Sequence, residues 1–272
     1  MVEIPVVFIH SGEFRWFREV VEQAERAGNR VLVLADEKYA ELPNSYNVHE
    51  FDKYVNWFDS VYVNLSSNGR WFEFAAFCRW FRLYEFMLRN NIPIAFHPDT
   101  DVLIYANVTE EYRKKFSQYD LTLIKGACGA STFITLERVK SFCEYVINIY
   151  MERGTTFAAF TDMFAQFQRN NQDGGICDMT LWQSYRNRFS VPFAEMTDII
   201  NGETYDHTMK DMSDYDDQNN HKFIQFRNGV PYARHMPDRK DIRMMTLHFQ
   251  GQTDETIPEF IAMARESMKH GK

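Results

Sequence analysis

The sequence predicts an α/β fold, and three observations carry that prediction. Short apolar runs alternate with amphipathic helical segments through the first third of the chain. An apolar run at 92–96 leads into His97, Pro98, Asp99, Thr100 and Asp101, and a second apolar run follows at 102–105. That arrangement sets two carboxylates at a strand end facing a crevice, the edge where open α/β sheets bind ligands. No Gly/Ser/Pro-rich linker divides the 272 residues, which predicts a single domain spanning 1–272 with a long insertion.

Composition narrows the function classes. Hydrophobic residues at 45% and charged residues at 25% are ordinary for a globular protein, whereas 24 Phe, 14 Tyr and 5 Trp make the aromatic share high. Aromatics beyond core needs line sites for flat or ring-shaped ligands, and core filling accounts for most of the rest. Thirty Lys and Arg against 38 Asp and Glu give a net charge of −8, so nucleic acid is not an expected partner, and a phosphorylated ligand needs a local cation. Cys78, Cys128, Cys143 and Cys177 lack paired metal-ligand spacing, and 1–10 lacks a charged region followed by a long apolar core. The expected compartment is the cytoplasm. Arg70, Glu73, Arg79, Arg82 and Glu85 interrupt the most apolar stretch, which argues against a membrane span there.

The elements follow in order. A strand is expected at 6–9, a helix at 14–27 ended by Gly28, and a strand at 30–35 with Asp36 just beyond it, either facing a ligand or capping a turn at 37–40. An apolar segment at 61–65 precedes the polar turn Ser66, Ser67, Asn68, Gly69. Apolar residues at 70–89 spread around much of the helical wheel, predicting a largely buried helix. Its guanidinium groups need anionic partners: Glu73 or Glu85 serves Arg82, and Arg79 is free to reach a ligand. Thr109 reads as the N-cap of a helix at 110–117, and 121–124 and 132–136 return to the sheet around the small-residue stretch 126–131.

Helices are expected at 137–152, 156–169 and 179–188, with Gly174, Gly175 and an N-capping Asp178 before the last. The Asp/Asn/Ser-rich segment 201–221 reads as a loop, and a loop of this length in a compact domain is often functional. Runs at 222–226 and 231–234 flank Asn228 and Gly229, the strongest hairpin signal in the chain. A late strand at 244–249 ends in the motif His248, Phe249, Gln250, Gly251, whose last two residues lie beyond it, and an amphipathic helix at 257–269 follows, with Lys269, His270 and Lys272 suited to its C-terminus or to peripheral membrane contact.

The Asp-x-Asp between apolar strands, the Gly-Gly-x-Cys-Asp helix start and the late His-Phe-x-Gly together resemble a GT-A glycosyltransferase, as does the helix running from Phe72, Glu73, Phe74 through Arg79, Trp80, Phe81, Arg82, Leu83. The resemblance implies a Rossmann-like mixed central sheet flanked by helices, with a nucleotide-sugar half over about 1–135 and an acceptor half over about 136–272. It implies a cation, Mn²⁺ or Mg²⁺, held by Asp99, Asp101 and His248 against the pyrophosphate of a nucleotide diphosphate sugar. Expelling a diphosphate builds negative charge on the leaving oxygen, and a cation stabilises it. Carboxylates suit either ion, and an imidazole nitrogen favours Mn²⁺.

By the same resemblance the donor lies near His10, Ser11, Asp36, Arg79, Thr100 and Gly251, and a glycan or glycolipid acceptor meets Trp182, Tyr205 and Asp206. Asp178 is the implied catalytic residue, as a base in an inverting enzyme or as an orienting group in a retaining one, and the His-Phe-x-Gly ending leans towards retention. One departure is plain: the Lys that follows the Gly by three positions in the retaining hexosyltransferases is Asp254 here, so Lys240 or Arg243 substitutes or the loop differs. Asp254 favours a non-catalytic nucleotide-sugar binding protein as the main rival. A haloacid dehalogenase-type phosphatase ranks lower, because it wants its Asp-x-Asp near the N-terminal strand.

Overall fold

The computed structural model describes residues 3–269. Strands β1 (Val6–Ile9), β2 (Val31–Ala35) and β3 (Ser45–Asn47) open the chain, with helix α1 (Phe17–Arg26) between the first two. Helices α2 (Lys53–Asp59) and α3 (Arg70–Arg89) lead to β4 (Ile94–Pro98) and β5 (Val102–Ile104). Helix α4 (Val108–Glu111), continued by a π-helical turn over Tyr112–Phe116, precedes β6 (Thr122–Leu123) and β7 (Ser131–Thr135). Then come α5 (Leu136–Glu152), α6 (Thr155–Arg169) and α7 (Asp178–Phe189). The last third carries β8 (Ala194–Glu195), β9 (Glu203–Thr204), β10 (Asp217–Gln218), β11 (His221–Lys222), β12 (Ile224–Arg227), β13 (Val230–His235), β14 (Lys240–Met244) and β15 (Thr246–His248), followed by α8 (Ile257–Lys269).

The central sheet has the order β3-β2-β1-β4-β7, with the first four strands parallel and β7 antiparallel to β4. It is a mixed sheet with helices on both faces. The pleat sends alternate side chains to opposite faces. Val7, Leu32, Leu34, Ala95 and Ile134 enter the core shared with α2, α3, α5 and α7. Val6, Phe8, Val31, Val33, Phe96 and Phe133 enter a second core with α1, β5, β15 and α8. Burial on both faces is why these strands read as continuous apolar runs. Core filling also absorbs many of the aromatics: Phe58 lies 4.9 Å from Phe81 and 5.1 Å from Tyr150, ring centre to ring centre.

Several local expectations change. Helix α1 begins at Phe17 rather than at position 14. Asn107, not Thr109, caps α4, accepting from Glu110 N at 3.1 Å, while Thr109 Oγ1 accepts from Ile4 N at 2.9 Å and ties the chain start to this helix. Segment 61–65 forms no strand. The polar stretch 201–221 holds short strands, of which β9 pairs with β14, itself unexpected, at the edge of a four-stranded sheet ordered β12-β13-β14-β9. The β12–β13 hairpin turns at Asn228 and Gly229 as expected, with φ of 51° and 79°, the left-handed pair that a two-residue turn of this kind requires. His270 and Lys272 lie outside the described residues. No helix among the described residues is long and apolar enough to cross a membrane.

Phe58 joins α2 to α3 and α5 and is fully buried. Phe58→Ala is expected to cost about 3–5 kcal/mol, read as a shift of the urea unfolding midpoint at unchanged slope.

Candidate functional site

The site forms where β4 ends. Asp99 N donates to Ala130 O at 2.8 Å and Val102 N to Asp99 O at 3.3 Å, so the Asp-x-Asp turns tightly between β4 and β5. Strand β15 pairs antiparallel with β5 and sets His248 opposite Val102, and Phe249 N donates to Asp101 O at 2.9 Å. That register carries the imidazole to Asp101, with Nε2 at 3.3 Å from Oδ1. Ligand atoms of Asp99, Asp101 and His248 all lie within 4.8 Å of one another.

The His248 Nδ1–H donates to the His207 carbonyl at 2.5 Å, which directs Nε2 at the carboxylates. A backbone carbonyl on one ring nitrogen is what fixes the tautomer of a metal-binding imidazole. Burial opposes charging of His248, but the hydrogen bond and charge of Asp101 outweigh it and raise its pKa to about 9. Burial alone would raise the Asp101 pKa, yet the hydrogen bond and charge of His248 hold it below the usual carboxylate range. Two carboxylates and one imidazole nitrogen, converging with Nδ1 already engaged, are a donor set that could hold a divalent cation.

Arg79 does not point to an open ligand space: it bridges two carboxylates. Its Nη1 donates to Asp99 and its Nη2 to Asp178 Oδ2 at 2.6 Å, and Trp80 Nε1 donates to the same Asp178 oxygen at 2.9 Å. Burial works against the guanidinium charge, but Asp99 and Asp178 together push its pKa up. Cys177, rather than Asp178, is the N-cap of α7, and Asp178 is the first helical residue, where a carboxylate is favoured by the helix dipole. Behind the pair, the His97 Nδ1–H donates to Val7 O at 2.9 Å, and the ring lies edge-on to Trp80. Burial, reinforced by Arg79, depresses the His97 pKa to about 4, which keeps it neutral. Gly129 lies against the Trp80 ring, 2.4 Å from where a Cβ would stand, so only glycine lets this loop close over the indole.

The carboxyl edge of β1 and β2 carries a second polar chain. Gly12 N donates to Asp36 Oδ2 at 2.6 Å, His49 lies 3.2 Å from Asp36 and 2.9 Å from Asp52, and Asp52 Oδ1 accepts from Arg82 Nε at 2.7 Å. Arg82 also donates to Ser11 Oγ at 3.0 Å. Its acidic partner is thus Asp52, remote in sequence, rather than Glu73 or Glu85. His10 is half-buried against Phe17 and Tyr39, and burial lowers its pKa. His10, Ser11 and Asp36 therefore share one edge. Thr100 is half-buried in the turn between the two aspartates.

Gly251 is exposed at φ +68° and opens the 3₁₀ turn Gly251–Thr256 that contains Asp254. Of the two cations expected to compensate for Asp254, Arg243 donates to Glu203 at 2.9 Å and Lys240 is exposed in β14. The cation at hand is Lys210, whose Nζ lies 3.2 Å from where a Gly251 Cβ would stand. Nothing in the local sequence around Lys210 signals this, because the neighbour comes from the segment following β9.

The three acceptor residues are corrected. Trp182 is fully buried, stacked on Phe142 at 3.5 Å between ring centres, and presents no face to a sugar. Tyr205 is 3% exposed in the second core, against Phe96 and Phe116. Asp206 is 1% exposed and pairs with buried Lys222 at 2.6 Å. On the site side of α3, by contrast, Phe72 is 70% exposed, and helical spacing puts Phe72, Ala76 and Arg79 on one stripe.

No protein-family model matches the chain, and no curated protein matches it. Among solved structures it is similar to the galactosyltransferase LgtC in complex with donor and acceptor sugar analogs, at 13% identity and TM-score 0.47, over 97% of this chain and 96% of that one. It is similar to mouse xyloside xylosyltransferase 1 in its apo form, at 11% identity and TM-score 0.44, over 74% of this chain and 88% of that one. It is also similar to the glycosyltransferase GlyE of Streptococcus pneumoniae TIGR4, at 12% identity and TM-score 0.37, over 75% and 47% of the two chains.

The Arg79 bridge is testable through stability. Arg79→Met leaves buried Asp178 without its cation and is expected to cost about 3 kcal/mol. Arg79→Met with Asp178→Asn removes the stranded charge and keeps an acceptor for Trp80, so chemical denaturation should show it recovering at least half of that loss.

Proposed function

We propose that the chain is a metal-dependent glycosyltransferase that moves a hexose from a nucleotide diphosphate sugar to a glycan or glycolipid acceptor. The observation that carries this reading is the convergence of Asp99, Asp101 and His248 ligand atoms within 4.8 Å, from segments far apart in the chain. Taken with the motif resemblance, it favours Mn²⁺, or Mg²⁺, at that point. A cation bound there offsets the negative charge that grows on a departing diphosphate.

The chain's own residues then divide the remaining work. The 1–135 half receives the nucleotide along the edge formed by His10, Ser11 and Asp36. Lys210, beside Gly251, supplies the local positive charge that Asp254 cannot, in a protein of net charge −8. Asp178 is buried and its Oδ2 accepts from Arg79 and Trp80, so its part is to hold the Arg79 guanidinium, and through it Asp99, at the site. The acceptor, met by the 136–272 half, approaches over exposed Phe72, which shares a helical stripe with half-buried Ala76 and Arg79. Arg79 sets Asp99 in place through its second hydrogen bond.

Asp254 favours one second reading, a nucleotide-sugar binding protein without turnover. The phosphatase reading fares worse, since Asp217 is exposed in the β10–β11 pair rather than set behind a core strand.

Thermal unfolding against nucleotide diphosphates and nucleotide sugars, each with Mn²⁺ and with chelator, tests the proposal. A ligand at about 100 times its Kd adds about 2.7 kcal/mol, which is expected as a rise of about 5 °C or more for one nucleotide class and only with metal. Asp101→Asn should abolish that shift and metal-dependent transfer; because it also removes the partner of buried His248, near-ultraviolet circular dichroism and a cooperative unfolding transition check that the variant is folded. Transfer unimpaired in Asp101→Asn would overturn the metal assignment, and donor binding without nucleotide release would favour the binding protein.

A further inference from the structure

His248 is held at three atoms by one short segment. Its backbone N donates to Asp206 Oδ2 at 3.0 Å, its Nδ1 donates to His207 O at 2.5 Å, and its carbonyl accepts from Met209 N at 2.9 Å. The segment 206–209 is therefore a strap around the imidazole. Asp206 N donates to Thr246 Oγ1 at 3.1 Å, and Lys222 from β11 fastens the strap at three further points. Lys222 Nζ donates to Asp206 Oδ1 at 2.6 Å and to Thr208 O at 2.6 Å, and Lys222 N donates to Met209 O at 2.9 Å. Its ammonium also lies 5.3 Å from the centre of the Tyr215 ring.

A lysine at 2% exposure is costly to bury, and an apolar pair of similar volume would serve packing as well or better. Hydrophobic burial does not explain it. What the ammonium does is satisfy one oxygen of Asp206 and one strap carbonyl at once, leaving the other Asp206 oxygen for His248 N. Lys210, beside Gly251, follows the strap directly.

We infer that Lys222 is a positioning residue for the candidate metal site, acting through Asp206 and the 206–209 strap to hold His248 Nε2 on the Asp-x-Asp. The inference rests on the proposed metal site and deepens it. It assigns Asp206, expected from sequence to meet an acceptor, a role behind the site.

The test uses Mn²⁺ alone, with no sugar, and reads two quantities on the full chain: affinity by isothermal titration and the nitrogen hyperfine coupling of bound Mn²⁺ by pulsed electron paramagnetic resonance. His248→Ala assigns the coupling. Lys222→Met is expected to weaken Mn²⁺ binding about 10- to 100-fold, the usual effect of removing a group that holds a metal ligand, and to weaken or abolish the nitrogen coupling. Because Lys222→Met strands a buried carboxylate and can fail to fold, Asp206→Asn is the second variant. Its amide offers one acceptor where Lys222 and His248 N need two, so it should loosen His248 while the near-ultraviolet circular dichroism of the fold persists. Wild-type affinity and coupling in a folded variant of either kind would overturn the positioning role and leave the metal site standing. Wild-type protein that binds no Mn²⁺, or binds it without nitrogen coupling, would overturn the metal reading itself.

Discussion

The register of β15 against β5 is the constraint on which the site depends. His248 opposes Val102, so the imidazole lands beside Asp101, one position away on the facing strand. A one-residue slip would send every side chain of β15 to the opposite face. Leu247 would leave the second core, where it is fully buried, and His248 would leave the carboxylates. Packing of Leu247 and Phe249 therefore enforces the position of the residue between them. The apolar neighbours of the histidine specify its geometry as much as its hydrogen bonds do.

Charge is organised in the same economical way. The chain is acidic overall, yet the carboxylates around the crevice are answered locally: Asp99 and Asp178 by Arg79, Asp52 by Arg82, Asp206 by Lys222. These pairs are poor sources of net stability, because desolvation offsets most of their attraction. Their value is directional. A bidentate guanidinium fixes the planes of the carboxylates it bridges, and Arg82 does the same between Asp52 and Ser11 at the other end of the sheet edge. Two arginines three positions apart on α3, less than one helical turn, thus anchor two different parts of the crevice.

What was legible in the sequence follows from how local each signal is. The Asp-x-Asp between two apolar runs, the late strand with His248 and the alternation of the first strands are contiguous patterns, and they place the right elements at the sheet edge. The acceptor residues failed for a physical reason. A stretch rich in Asp, Asn and Ser reads as solvated, but Asp206 finds Lys222 and becomes interior, carrying Tyr205 inward with it. Trp182 was legible as an aromatic on a helix, and only the packing of α7 on α5 decides that Phe142, rather than solvent, covers its face. Asp52 as the partner of Arg82, and Lys210 as the neighbour of Gly251, come from chain segments that no window of sequence joins to their partners.

Asp99 and Asp101 differ in one respect that bears on any cation they hold. Asp99 is tied to Arg79, a cation that cannot give up its charge, whereas Asp101 is tied to His248, which can. A divalent ion at this point meets a permanent positive neighbour on one side and displaces a proton on the other. The guanidinium weakens the local attraction for the metal by like-charge repulsion, and a ligand bearing its own negative charges restores it. On the proposed function, binding of metal and of an anionic diphosphate would be coupled through Arg79. The same guanidinium, held by Asp178 and lying 5.0 Å from the centre of the Trp80 ring, ties the Asp99 segment to the start of α7.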